Sequence, residues 1–206
     1  MHPFIWNESE HPMSNAFSAA EKQLITEKLL QGAWRHACCE GMRKTTVDTL
    51  AAEASISKGA FYHFYASKEE LFLSMLERWQ QHAYDAAAQV LDTHADLPVA
   101  VRASMAFRAA FQYIMEQPIG RFLADEVPMM LSRLPESTLR EHYQSQEEFV
   151  LRIIRQVGVH LTVPDHTAVA AVCILMLSLV NAERVEYYND GIDALVDSVC
   201  KQLIRE

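Results

Sequence analysis

The stretch Thr45–Leu71, TTVDTLAAEASISKGAFYHFYASKEEL, decides how this chain reads. Thr45 or Thr46 caps a short helix whose inner face is Val47, Leu50, Ala51 and Ala54. Ser55-Ile56 makes a turn, and Ser57 caps a second short helix that should end near Tyr65. Ser67 with Glu70 is a capping box. It opens a long helix carrying Leu71, Phe72, Met75, Leu76, Trp79, Ala83, Ala86 and Val90 inward. Two short helices about a tight turn have the spacing of a helix-turn-helix, in which one helix braces across a duplex and the next enters the major groove. The second helix must begin with small residues so that its backbone can approach DNA, and Ser57-Lys58-Gly59-Ala60 does.

The chemistry along this stretch fits a phosphate backbone. Amides at the helix starts behind Thr46, Ser57 and Ser67 can donate to phosphate oxygens. Lys58 and Lys68 supply positive charge for the same oxygens. Tyr62 and His63 have polar tips that reach sugar–phosphate or a base edge. The net charge of −9 argues the other way until its distribution is read. Between Glu21 and Glu70 there are seven basic and seven acidic residues, whereas residues 71–206 net −7. The acidic excess lies outside the reading segment, so only a properly presented edge should bind.

Upstream, residues 1–17 read as an aperiodic tail with Pro3, Pro12 and no Lys or Arg, which makes a basic minor-groove arm unlikely chemistry for it. Ser18 and Glu21 form another capping box. The helix they open runs to about Glu40 on an apolar face of Ile25, Leu29, Ala33 and Ala37, and Gly41 ends it. Downstream the punctuation is sparse. One helix starts at Asp96-Pro98 and stops at Pro118. Residues 119–133 form a segment interrupted by Pro128. A helix entering at Pro135 turns Leu139, Tyr143, Val150, Ile153, Ile154 and Val157 inward, and Gly158 and Pro164 bracket the next connection. Two last helices, about 164–188 and 191–205, meet at Asn189-Asp190-Gly191. The sum is an all-α chain of nine helices with no strand and no repeat.

Thr45-Thr46-Val47, Ile56-Ser57-Lys58-Gly59, Tyr62-His63 and Ser67-Lys68-Glu69-Glu70-Leu71 together resemble the TetR family of one-component bacterial transcriptional repressors. The resemblance spans about residues 22–75. It implies a nine-helix fold in which a three-helix head (18–66) binds DNA. A body (67–206, its linking helix at 67–92) would bind a ligand and dimerise. The implied DNA-binding residues are Thr45, Thr46, Ser57, Lys58, Gly59, Ala60, Phe61, Tyr62, His63 and Lys68. Two positions depart from the family. Phe64-Tyr65 reverses the usual Tyr-Phe order, and Ala37 stands where a large apolar residue is common, with Trp34 and Cys38 beside it to fill the space.

The body's aromatics and methionines supply the pocket candidates: Trp79, Phe107, Phe111, Met115, Phe122, Met129, Met130, Tyr143 and Phe149. They suit a small apolar or aromatic effector; Arg121, Asp125 and Glu126 are the groups that would orient a charged one, with solvated faces the default for them. The 164–188 helix is apolar nearly all round from Ala168 to Val180, which calls for burial on several sides. Val172, Leu175, Met176, Leu179, Leu195, Val196 and Val199 are the dimer-interface candidates. The expected partners are a double-stranded DNA operator, a second copy of the chain and the effector.

Other classes find little footing. The four cysteines, Cys38, Cys39, Cys173 and Cys200, fit no zinc spacing or disulfide framework. His36, Cys38 and Cys39 lie close in sequence, but Cys38 and Cys39 point about 100° apart on a helix, and His82, His142, His160 and His166 are scattered, so no metal and no cofactor is expected. Catalytic motifs (nucleophile elbow, paired zinc-binding histidines, Walker loop, dinucleotide glycines) are absent, so no catalytic residue is expected either. Met1–Ser14 lacks the cationic start and apolar run of a leader, and Ala168–Val180 falls short of the ~20 residues that span a bilayer. A cytoplasmic location, on the nucleoid when DNA-bound, is the expectation. The competing reading is a helical effector-binding or protein-interaction module whose helix-turn-helix does not bind DNA.

Overall fold

A computed structural model describes residues 17–156, 160–181, 186 and 188–205. The tail expected over residues 1–17, apart from Phe17, and the Val157 and Gly158 readings lie outside the described residues. The elements in chain order are α1 (Ala19–Cys39), α2 (Val47–Glu53), α3 (Lys58–Phe61), α4 (Lys68–Thr93), α5 (Val99–Met115), α6 (Gly120–Asp125), α7 (Val127–Leu131), α8 (Glu136–Gln156), β1 (His160–Leu161), α9 (Asp165–Asn181), α10 (Tyr188–Leu203) and β2 (Ile204–Arg205). Ten helices are thus described where nine were expected, because Pro128 in the first turn of α7 separates it from α6.

Local chemistry sets the boundaries. Ser18 accepts from Glu21 N–H while Glu21 accepts from Ser18 N–H, so the first capping box is complete. The second is offset: Ser67 accepts from Glu70 N–H, but the Glu70 carboxylate reaches back to Ala66 N–H. Gly41 follows α1 at φ +84°, a conformation costly for a side chain. The Asn189-Asp190-Gly191 turn expected between the last helices lies instead in the first turn of α10, where Asp190 suits the positive end of the helix. β1 pairs antiparallel with β2, two residues each, and Thr162 Oγ1 donates to Gln202 O at 2.6 Å. That small clasp replaces the expected absence of strands and ties the end of α10 to the α8–α9 connection.

The core has three parts. α1–α3 close on the start of α4 around Leu29, Met42, Leu50, Phe61, Leu71 and Phe72, with Ile119, Phe122 and Met130 joining from the body. α4 and α5 meet through small side chains, Ala83, Ala87, Ala106 and Ala110. α5, α9 and α10 enclose Phe111, Leu175, Leu179, Ile192 and Val196. Among the described residues no helix is long and apolar enough to cross a membrane.

Candidate nucleic-acid interface and its tie to the body

The turn between α2 and α3 is a Schellman motif with serine in place of the usual glycine. Ser55 adopts φ +61°, Ile56 N–H donates to Ala51 O at 2.9 Å, and Ser55 N–H donates to Ala52 O at 3.0 Å. The turn swings α3 across α2. Thr46 caps α2 by accepting from Thr49 N–H, and Ser57 caps α3 by accepting from Ala60 N–H, both at 3.1 Å. α3 is a single helical turn, shorter than the expected reach to Tyr65, and continues as tight turns with Phe64 N–H on Phe61 O.

The outer edge of this unit is polar and open. Thr46, Ser57, Lys58, Gly59, Tyr62 and His63 are exposed, and Ala60 is half-buried. Lys58 donates to Asp48 at 2.8 Å, which raises its pKa and keeps it cationic. Three candidates sit elsewhere. Phe61 is fully buried, T-shaped against Tyr62 and packed on Tyr65, so its ring anchors the head and is unavailable to a groove. Thr45 is also buried, its hydroxyl donating to Gly41 O at 2.8 Å. Lys68 is half-buried, and its Nζ donates to Met42 O and Thr45 O, both at 2.9 Å. These two charge-assisted hydrogen bonds hold the α1–α2 connection. Lys44, exposed in that same connection beside the Thr46 cap, was missed because it falls between the motifs.

A second grip comes from the body. Glu126, between α6 and α7, is buried, and its Oε2 accepts from Arg43 N–H at 3.2 Å while Oε1 lies 3.9 Å from Arg43 Nε. A Cβ at Gly41 would stand 2.1 Å from Glu126 Oε1, so the carboxylate approaches so closely only because that residue is glycine. The carboxylate expected to orient an effector therefore secures the head. Arg121 and Asp125 face outward as an exposed pair at 3.6 Å.

The body encloses an apolar cavity of about 130 Å³ among α4, α5, α8, α9 and α10. Its walls include Tyr84, Ala87, Ala106, Phe107, Ile153 and Met176, and Leu161, Leu203 and Ile204 bring the β clasp to one end. Burial pushes the Tyr84 hydroxyl up to about 12 and the Cys200 thiol on the wall up to about 11, so both stay protonated at neutral pH. Among the described residues, no three His, Cys, Asp or Glu side chains gather as a metal site.

Residues 29–75 match the model for bacterial regulatory proteins of the tetR family. That match lies over the head, which is thus a segment of tetR type. The HTH-type transcriptional regulator YhgD of Bacillus subtilis is 29% identical over 114 residues, 51% of this chain and 60% of that protein. The HTH-type transcriptional repressor KstR2 of Mycolicibacterium smegmatis is 28% identical over 133 residues, 65% and 64% of the two chains. The matched part thus spans less than two thirds of either relative. A TetR-family transcription regulator from Shewanella sp. PV-4 shares the fold at TM-score 0.59 and 18% identity, over 90% of this chain and 99% of its own. The described chain is accordingly α-helical almost throughout, with the tetR-type helix-turn-helix segment in its head.

The TetR-like head absorbs its two departures by packing. Phe64 lies 5.7 Å from Phe17, and Tyr65 turns inward, its pKa raised by burial. Trp34 and Cys38 pack against the head core beside Ala37. In the body only Phe107 of the nine pocket candidates lines the cavity. Phe122, Met129 and Met130 belong to the core joining head and body, and Phe111 and Met115 pack against α9 and α10. Tyr143 is exposed, Phe149 stacks on Tyr84 at 3.7 Å, and Trp79 sits between α1 and α5. Of the interface candidates, Leu175, Leu179 and Val196 are buried within this chain, and Val172, Met176 and Val199 line its cavity. Leu195 faces out, joined by Ile174 and Leu177 at 64% and 65% exposure, so the open apolar face is a different stripe of the same helices.

Proposed function

We propose that this regulator represses transcription as a homodimer on a palindromic operator and is released by a small, uncharged, largely apolar effector held in the body cavity. The observation that carries this reading is the exposed 57–63 edge at one end of α4 and the apolar cavity along the other end of the same helix. α4 has 26 residues, about 39 Å of rigid helix. In this reading residues 18–66 form the DNA-binding unit and residues 67–206 the sensing and pairing unit. Thr46, Ser57, Lys58 and Tyr62 hold phosphates, Gly59 and Ala60 allow close approach, and His63 reaches a base edge. Lys68 acts behind them as a positioning residue, as does Phe61.

The dimer would form on Ile174, Leu177 and Leu195, which leave apolar surface in water on the monomer. Such a dimer reads two half-sites about 34–36 Å apart when its heads are correctly spread. An effector works only by favouring one spread over another; a hundredfold loss of DNA affinity needs about 2.7 kcal/mol of differential binding. An apolar wall suits an uncharged ligand, since a bare charge there would lose its hydration without replacement. The repressor KstR2 among the relatives favours repression.

Fluorescence anisotropy with DNA from upstream of the chain's own gene tests the proposal. Two chains should bind per site, more weakly as salt rises. Lys58→Ala should weaken specific and non-specific DNA alike, because phosphate contacts position without specifying. His63→Ala should narrow the gap between operator and random DNA. A folded chain with no salt-dependent DNA affinity would return it to the protein-interaction class.

A further inference from the structure

A cleft of about 510 Å³ lies between head and body, apart from the apolar cavity. Its floor is a run of three rings from three helices, Trp34 of α1, Trp79 of α4 and Tyr113 of α5. Their centroids are 6.1 and 6.4 Å apart and successive planes are tilted by 36° and 35°. The charges at its rim are already matched, Arg78 with Glu27 at 2.6 Å and Arg35 with Glu53 at 2.9 Å. The Gln31 and Gln117 side-chain amides, also on the rim, carry no hydrogen bond among the described residues. The Trp79 indole N–H is buried, on a residue only 5% exposed, and has no acceptor among the described residues. Such donors are rare in folded proteins because a buried N–H left unpaired gives up its hydrogen bond to water without replacement.

We propose that this cleft is a second small-molecule site, for an uncharged, planar, two-ring heteroaromatic compound bearing a ring carbonyl. Flat π-systems gain from offset or tilted packing on the three rings. Apart from His82, which stands edge-on to Tyr113, the rim's charges are paired, and an ionic ligand would have to compete with Arg78–Glu27. A ring carbonyl supplies the acceptor that the Trp79 N–H lacks, and the glutamine amides on the rim can donate to its second lone pair or to a ring oxygen beside it. Trp34 belongs to the head, Trp79 and Tyr113 to the body. An occupant therefore touches both and favours the head placement seen here, by a route independent of the apolar cavity.

Calorimetric titration of the full chain with coumarin, a neutral two-ring lactone, tests this. One coumarin should bind per chain. Trp79→Phe, which keeps an aromatic ring but removes the N–H, should weaken it about tenfold, and Trp34→Leu should weaken it further. Gln31→Ala, at an exposed position that folding does not require, should weaken it several-fold and serves if the tryptophan variants fail to fold. No heat at millimolar coumarin would overturn the proposal, as would binding indifferent to the substitutions in every folded variant. Heat that disappears in Ala106→Leu would place coumarin in the apolar cavity and overturn it too.

Discussion

In the head, Leu29, Leu50 and Phe61 meet with no more than 1% of their surface exposed, whereas beside the body cavity Phe111, Val150 and Leu175 keep 6–9%. The head's loops are held from two sides, by Lys68 on the carbonyls of Met42 and Thr45 and by Glu126 on Arg43. The cavity walls are largely alanine and aliphatic side chains around open space. A close-packed unit transmits a displacement, while a pre-formed apolar void can take in a guest without displacing its walls. The contrast suits a rigid reader carried by an adjustable body, and five substitutions put it to the test.

The largest effect should come from Phe61→Ala, which empties the centre of the head. Thermal unfolding should report a loss of about 3–5 kcal/mol, with DNA affinity falling alongside. A loss below 1 kcal/mol would mean that the head is loosely packed after all. Next comes Gly41→Ala, which combines a left-handed backbone position with an overlap on Glu126. It should cost about 1–3 kcal/mol and also lower DNA affinity, because the carboxylate must leave Arg43. Glu126→Gln separates the two effects, removing the charge while leaving the backbone unstrained.

These sites also show what the sequence could disclose. Helix starts at Ser18, Thr46, Ser57 and Ser67 were legible because capping is settled within four residues. The apolar faces of α1 and α2 were legible because their period is regular and one-sided. Phe61 misled because α3 is one turn long and has no period to orient it. The cavity misled for a different reason: a void is marked by small side chains such as Ala87, Ala106 and Ala110, not by large aromatics. α9 is apolar on every side, so nothing in its pattern separates inward Leu175 and Leu179 from outward Ile174 and Leu177. Glu126 and Lys68 act across the fold, and no local spacing announces such contacts.

Smaller effects probe the body. Ala106→Leu grows into the cavity and should change stability by less than about 2 kcal/mol, with either sign. Effector response should nonetheless drop sharply, as measured by effector-dependent release of DNA. Retained response would move the effector site elsewhere. The smallest effect concerns acid. Asp197 accepts hydrogen bonds from Ser104 and Arg108, and the Ser104 hydroxyl above all holds its pKa below the ordinary carboxylate value. The stability this lends is present above the unfolded carboxylate range and fades as pH falls through the lowered value. Ser104→Ala should move that fading to higher pH in acid-unfolding curves, and an unchanged midpoint would remove Asp197 from the account.

Hydrogen exchange of the full chain, alone and with the DNA upstream of its gene, tests most directly the proposal that residues 57–63 meet DNA. The account predicts slowed exchange at the amides of residues 57–63 and around Thr46, with little change along the cavity walls of α9. Unchanged exchange over 57–63 in a chain that demonstrably holds that DNA would contradict it.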